Sequence, residues 1–278
     1  MTAFRAAPFK AACVQLRSTD DVAENIRDTI ALVREAAARG AIFIATPENT
    51  TLMAPGGGAK LAQSYDETHD PALPVFSALA TELKVWILIG SVAIKVSDSK
   101  TANRSFLFAP DGGIRARYSK IHLFDVHLAS GEVYRESNTV AGGNEAVVAD
   151  TELGKVGLSI CYDLRFPILY RKLAQKGAFL FTVPSAFTVP TGSAHWHVLL
   201  RARAIENGAF VMAPAQGGEH ANGRKTYGHS LIVAPWGEVL GEAGTEPGII
   251  IADIDPALAA EARAKVPNLQ HDREFAGP

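Results

Sequence analysis

The feature that most constrains this chain is the alternation of short apolar runs with amphipathic helical segments. Residues 10–16 read as a strand, and Thr19 or Asp20 then caps a helix reaching about Arg39. Ile26, Ile30, Val33 and Ala37 give that helix one apolar face, and Gly40 ends it. Residues 41–45 form a second strand, 71–83 a second helix and 85–94 a strongly apolar third strand. Strand–helix–strand order of this kind folds into mixed or mostly parallel sheets covered by helices.

The pattern continues to the far end. Residues 103–109 and 114–119 flank Pro110-Asp111-Gly112-Gly113, a hairpin signal. Residues 121–143 have weak periodicity, and a connection of that length has a task such as closing a site. A second strand pair, 146–149 with 155–160, surrounds Glu152-Leu153-Gly154. Further strands are expected at 179–183, 209–213, 228–234, 239–242 and 249–253, and helices at 167–175, 192–207 and 256–265. No linker, repeat or low-complexity tract interrupts the chain, so residues 1–278 are expected to form one α/β domain.

Charge and cysteine count narrow the function. Lys plus Arg is 27 and Asp plus Glu is 29, so the formal net charge of -2 gives no sign of a nucleic-acid binder. Residues 87–94 are too few to cross a bilayer. Met1-Thr2-Ala3-Phe4-Arg5 does not lead into a long apolar run, so a secretory leader is not expected. Cys13 and Cys161 are the only cysteines; they make no disulfide framework and fit a reducing cytoplasm.

Cys161 ends the alternating run Val156, Leu158, Ile160 and begins a polar turn. A rigid strand end suits a nucleophile, yet a free cysteine also packs as a small hydrophobe, and the segment alone leaves both readings open. Cys13, inside an apolar strand, reads as packing. His122 with His127, and His195 with His197, lack the companions and spacing of a zinc motif. Gly56-Gly57-Gly58 lacks the Lys-Ser/Thr of a phosphate loop and reads as a flexible insertion near a pocket mouth. No metal and no cofactor is expected.

Three blocks taken together resolve the ambiguity over Cys161. Thr46-Pro47-Glu48, Tyr118-Ser119-Lys120-Ile121-His122-Leu123-Phe124 and Cys161-Tyr162-Asp163-Leu164-Arg165-Phe166-Pro167 resemble, in order, the base, lysine and nucleophile segments of the nitrilase superfamily, the carbon–nitrogen hydrolases. Glu136 falls at that family's second glutamate, and the likeness spans about residues 8–272. It implies a four-layer α-β-β-α sandwich that pairs as a homodimer or higher homo-oligomer through the helices near 167–175 and 192–207. It implies Cys161 as nucleophile, Glu48 as proton shuttle, Lys120 and the Tyr162 backbone N–H as oxyanion donors, and Glu136 as an orienting group.

Ser185-Ala186-Phe187, Thr191-Gly192, Ala194-His195-Trp196 and Tyr227-Gly228-His229-Ser230 resemble the Nit branch. That implies a small-molecule amide substrate, deaminated glutathione, cleaved to 2-oxoglutarate and cysteinylglycine. Arg165 would pair with its carboxylate, Phe187 would cover the acyl chain and Thr191 would hydrogen-bond to it. For Arg165 the alternative is a salt bridge to Asp163 or Glu206. Arg201, Arg203 and Glu206 are expected to form an ion-pair network beneath the site. Rival functions are an omega-amidase acting on 2-oxoglutaramate, an N-carbamoyl amide hydrolase, a nitrilase, and a catalytically silent interaction module.

Overall fold

Two six-stranded sheets built on one plan carry the fold; the computed structural model describes residues 7–127, 131, 133–221 and 223–277. The first sheet runs Gly248–Ile254, Phe9–Gln15, Ala41–Ala45, Trp86–Lys95, Thr101–Phe108, Ile114–Ser119. The second runs Val148–Thr151, Gly154–Leu158, Leu180–Thr182, Phe210–Ala213, Leu231–Val233, Val239–Glu242. In both, one antiparallel edge strand is followed by three parallel strands and two antiparallel ones. The first sheet borrows its edge strand from the far end of the chain, which ties the two halves together.

The strand alternation sorts residues between two faces. On the first sheet Ala11, Cys13, Phe43, Leu88 and Leu107 pack towards the second sheet, in one core with Val156, Leu158, Val211 and Leu231. Their neighbours Ala12, Val14, Ile44, Ile87 and Phe106 pack the other way, against Val33 and Ala36 of helix Val22–Ala38 and Phe76 and Leu79 of helix Ala72–Leu83. Helices Pro167–Gln175 and Val189–Asn207 cover the outer face of the second sheet through Leu169, Tyr170, Leu173, Trp196, Leu200 and Ala204. The order of layers is helix, sheet, sheet, helix. Cys13 is buried in the packing between sheets, and burial pushes its thiol pKa far up, which leaves it unreactive.

Several boundaries differ from the sequence reading for local reasons. The cap of the first helix is Asp21, whose side chain accepts from Glu24 N at 3.0 Å; Thr19 instead bonds Asn25. The long helix begins at Val189, because Pro190 in its first turn forfeits no helical hydrogen bond. Residues 57–62 form a short helix, Gly57–Ala62, and not a flexible insertion. Within 121–143, Asp125–His127 pairs with Val133–Arg135 and a 3-10 turn covers Glu136–Asn138. The hairpin of Gly217–Glu219 with Lys225–Tyr227 has too little apolar alternation to be read from sequence.

Candidate active site

Glu48 leaves the first sheet at the end of Ala41–Ala45. Asn49 behind it has φ 58°, and its N–H donates to Ser91 Oγ at 2.8 Å, turning the chain sharply. The neighbouring strand passes so close at Gly90 that an added Cβ would lie 2.0 Å from Thr46 O, so only glycine fits. From the segment that follows strand Phe210–Ala213 of the other sheet, Gln216 Nε2 donates to Glu48 O at 3.0 Å. The Glu48 backbone is thus fixed from both sheets.

Lys120 follows strand Ile114–Ser119, and its N–H donates to Asn103 O at 2.9 Å. Its Nζ lies 2.9 Å from Glu48 Oε1 and 2.9 Å from Glu136 Oε2. Asn103 Nδ2 bridges the same carboxylates, at 2.8 Å to Glu48 and 3.2 Å to Glu136. Phe124 N–H donates to Glu136 Oε2 at 2.7 Å. Lys120 and Glu48 are buried, so this is a desolvated ion cluster that stands only because each charge is paired and hydrogen-bonded.

Cys161 stands where strand Gly154–Leu158 gives way to the short 3-10 helix Cys161–Arg165. Its φ of 50° lies in the left-handed region, unfavourable for any residue with a side chain. Strain of this sort persists where the surroundings over-determine it. Here Cys161 N–H donates to Pro184 O at 2.9 Å, and the buried Asp163 ties down the rest. Asp163 accepts from Ile160 N at 2.9 Å, Tyr118 Oη at 2.6 Å and His122 N at 3.0 Å, with His122 Nδ1 at 2.7 Å. One carboxylate therefore joins the Cys161 turn to the segment on both sides of Lys120. The N–H of Tyr162 lies in the first turn of the 3-10 helix, where a helix offers its donors no internal acceptor.

The electrostatics set the resting protonation. Burial pushes the Glu48 carboxyl up, but the Lys120 ammonium, a hydrogen bond from Cys161 and the Arg224 charge more than offset it, leaving a pKa of about 2. Burial and the Glu48 charge push the Cys161 thiol well up, against the pull of Lys120 and a hydrogen bond with the Ala186 backbone. Burial opposes the Lys120 charge, yet Glu136 and Glu48 hold its ammonium well above the ordinary lysine value. These shifts favour a thiol at Cys161 and a carboxylate at Glu48.

A cavity of about 800 Å³ opens over these groups, and its lining includes Glu48, Lys120, Glu136, Cys161, Tyr162, Arg165, Phe187 and Thr191. Arg165 makes no ion pair with Asp163 or Glu206. Its guanidinium sits 5.6 Å from the Phe187 ring centre and 5.9 Å from that of Tyr162, and Nη2 donates to His195 Nδ1 at 3.3 Å. Phe187 packs on Trp196 at 4.8 Å, and Thr191 Oγ1 lies 2.8 Å from Thr188 Oγ1. The ion-pair network beneath the site is smaller than expected. Arg203 pairs with Glu206 at 2.9 Å and donates to Leu164 O, while Arg201 donates to Gly237 O and stays outside it.

Sequence reasoning missed Asn103, Asp163 as a clamp, Gln216, Arg224 and Lys60. Lys60, on helix Gly57–Ala62, also lines the cavity and donates to Asn49 Oδ1 at 2.6 Å. Asp163 stands inside the Cys161 block and the others stand in no pattern that marks them; each matters through a partner at least 11 residues away in the chain.

Residues 10–264 match the family model of the carbon–nitrogen hydrolases, and the chain belongs to that family. Among its relatives is the deaminated glutathione amidase of Synechocystis sp., 40% identical over 268 residues, covering 95% of this chain and 98% of that one. The human omega-amidase NIT2 is 34% identical over 265 residues, covering 95% of both chains. The crystal structure of Saccharomyces cerevisiae Nit3, a member of branch 10 of the nitrilase superfamily, superimposes with a TM-score of 0.86 at 30% identity, covering 96% of this chain and 97% of that one. The fold is that of the nitrilase superfamily.

Proposed function

We propose that this chain is an amidase that cleaves the C–N bond of deaminated glutathione through a thioester on Cys161. The observation that carries the reading is the Glu48–Lys120–Glu136 ion cluster on the wall of a cavity that also holds the Cys161 thiol and Arg165. Cys161 Sγ attacks the amide carbon while its proton passes to Glu48. Lys120 and the Tyr162 N–H take the charge that develops on the carbonyl oxygen. Collapse breaks the C–N bond, and Glu48 returns the proton to the departing amine of cysteinylglycine. Glu48 then accepts a proton from water as the water attacks the thioester. The second tetrahedral intermediate releases 2-oxoglutarate and restores the thiol. Glu136 holds Lys120 in place throughout. No step calls for a metal or an organic cofactor.

Arg165 supplies the fork for the 2-oxo acid carboxylate, Phe187 covers the acyl chain and Thr191 hydrogen-bonds to it. The size of the cavity favours deaminated glutathione over the smaller 2-oxoglutaramate, the substrate of the rival omega-amidase reading. The product pair makes this a repair reaction on a transamination side product. Among the described residues no helix is long and apolar enough to cross a membrane. We place the enzyme in the cytoplasm as one domain, since it relies on an unpaired thiol. We take it to pair as a dimer through the exposed Ile168, Val198 and Ile205 of the outer helices. Light scattering at low micromolar protein checks that; a stable, fully active monomer removes it.

Initial rates on deaminated glutathione, 2-oxoglutaramate, an N-carbamoyl amino acid and a simple nitrile test the substrate. Deaminated glutathione is expected to give the highest kcat/KM. Arg165→Lys is expected to lose more than about tenfold of it, since an ammonium cannot reproduce the two-pronged fork. A preference for an uncharged amide, with R165K near wild type, removes both assignments.

A further inference from the structure

Away from the cavity, three chain segments bring two imidazoles and a carboxylate to one point. His197 comes from helix Val189–Asn207, His229 from the turn before strand Leu231–Val233, and Glu242 from the end of strand Val239–Glu242. Glu242 Oε1 lies 2.9 Å from His197 Nε2 and 2.9 Å from His229 Nδ1, and one ligand atom from each residue lies within 4.8 Å of the others. None of the three lines the active-site cavity. We infer that His197, His229 and Glu242 form a binding site for a zinc-class divalent metal ion, separate from the amidase chemistry.

The donor set suits such an ion: imidazole and carboxylate ligands are common on zinc, and a water can fill a fourth position. Tetrahedral bonds of ~2.0–2.2 Å hold ligand atoms about 3.3–3.5 Å apart, so Glu242 must withdraw by about half an ångström while the two ring nitrogens, which lie within 4.8 Å of each other, close on the ion. In the present arrangement each ring donates a proton to the carboxylate. Neutral imidazole can shift that proton to its outer nitrogen and free the inner lone pair for the ion. The side chains of His197, His229 and Glu242 are 34%, 28% and 40% exposed, which leaves an approach from solvent.

The ligands are also held in advance. His229 has φ 53°, an unfavourable conformation that its surroundings enforce. Its N–H donates to Gly244 O at 2.8 Å, its carbonyl accepts from Trp196 Nε1 at 2.7 Å, and its ring stacks on Tyr227 at 4.3 Å. Trp196, buried in the core, immediately precedes His197, so both imidazoles hang from one anchor. Glu242 is set by its register opposite Leu231. A bound ion would pin the long helix to the edge of the second sheet.

The test is calorimetric titration of zinc chloride into the full chain carrying Cys161→Ala, which removes the cavity thiol as a competing zinc ligand. Saturable binding of one ion per chain is expected, with a dissociation constant in the micromolar range or below. Adding His197→Ala or Glu242→Gln should weaken it by about tenfold or more, since each removes a ligand. Cobalt(II) should give the visible bands of a four-coordinate site, lost in the same double variants. His197→Ala with Cys161 intact should keep wild-type turnover. Absence of one-to-one binding, or isotherms that H197A and E242Q leave unchanged, overturns the inference. Circular dichroism separates loss of binding from loss of fold in each variant.

Discussion

The two sheets share one succession of strands yet contribute opposite things to the site. The first sheet delivers charge: Glu48 and Lys120 follow the ends of two of its strands and the Asn103 amide stands within a third, all buried. The second delivers the thiol and the clamps: Cys161 on a strained turn, Asp163 gripping Tyr118 and His122, and Gln216 gripping the backbone of Glu48. Each sheet turns its outgoing strand with one left-handed residue. In the first it is Asn49, beside Glu48; in the second it is Cys161, the proposed nucleophile. The same fold element is thus used once to aim a neighbour and once to aim its own side chain. The charged half depends on its partners for stability, because an unpaired buried ion is costly. The thiol half depends on them for direction.

Four substitutions sharpen or break that contrast. The largest effect on turnover belongs to Cys161→Ala, which should abolish it while leaving the melting temperature near wild type. A well-folded, active C161A protein would end the covalent mechanism. Lys120→Ala should cut kcat by roughly 10²–10³ with a smaller change in substrate affinity, because oxyanion donors act chiefly in the transition state. It should also cost about 3–5 kcal/mol in denaturant unfolding, since it leaves the buried Glu48 carboxylate, and the part-buried Glu136 beside it, without their cation. If K120A is no less stable than C161A, the division between the halves fails.

Asp163→Asn comes next. An amide cannot accept all the hydrogen bonds that this carboxylate collects, so the Cys161 turn and the Lys120 segment should drift apart. A shift of ~1 Å corresponds to a loss of roughly 10² in kcat, with KM little changed. Unchanged kcat with a raised KM would place Asp163 in substrate binding instead.

The smallest effect lies in acid. The Glu48 carboxyl is depressed in the fold to about 2 from an ordinary 4.5, so its contribution to stability is complete above the ordinary value and is lost as pH falls towards 2. Glu48→Gln removes that proton linkage. Between pH 5 and 2.5 the melting temperature of the wild type should therefore fall more steeply than that of E48Q. Parallel curves would show that Lys120 does not hold Glu48 ionised.

Some of this protein is determined by sequence alone. The apolar alternation of Val156, Leu158 and Ile160, the helical spacing of the first helix and the hairpin turn at Pro110-Asp111-Gly112-Gly113 specify strands, helices and an α/β class, because backbone periodicity and turn chemistry are local. The three blocks around Glu48, Lys120 and Cys161 mark the family resemblance in the same local way. What tertiary structure alone decided is how these blocks meet. Glu48 and Lys120 lie 72 residues apart in the chain and 2.9 Å apart in space. Asp163 enters the sequence reading only as one alternative partner for Arg165, and it proves to be the clamp on Tyr118 and His122, 45 and 41 residues away in the chain. His197 lacked companions in sequence and gained His229 and Glu242 from the edge of a sheet. Contacts of that range depend on strand order and on which face each side chain takes, and these are fixed only when the two sheets close over a common core.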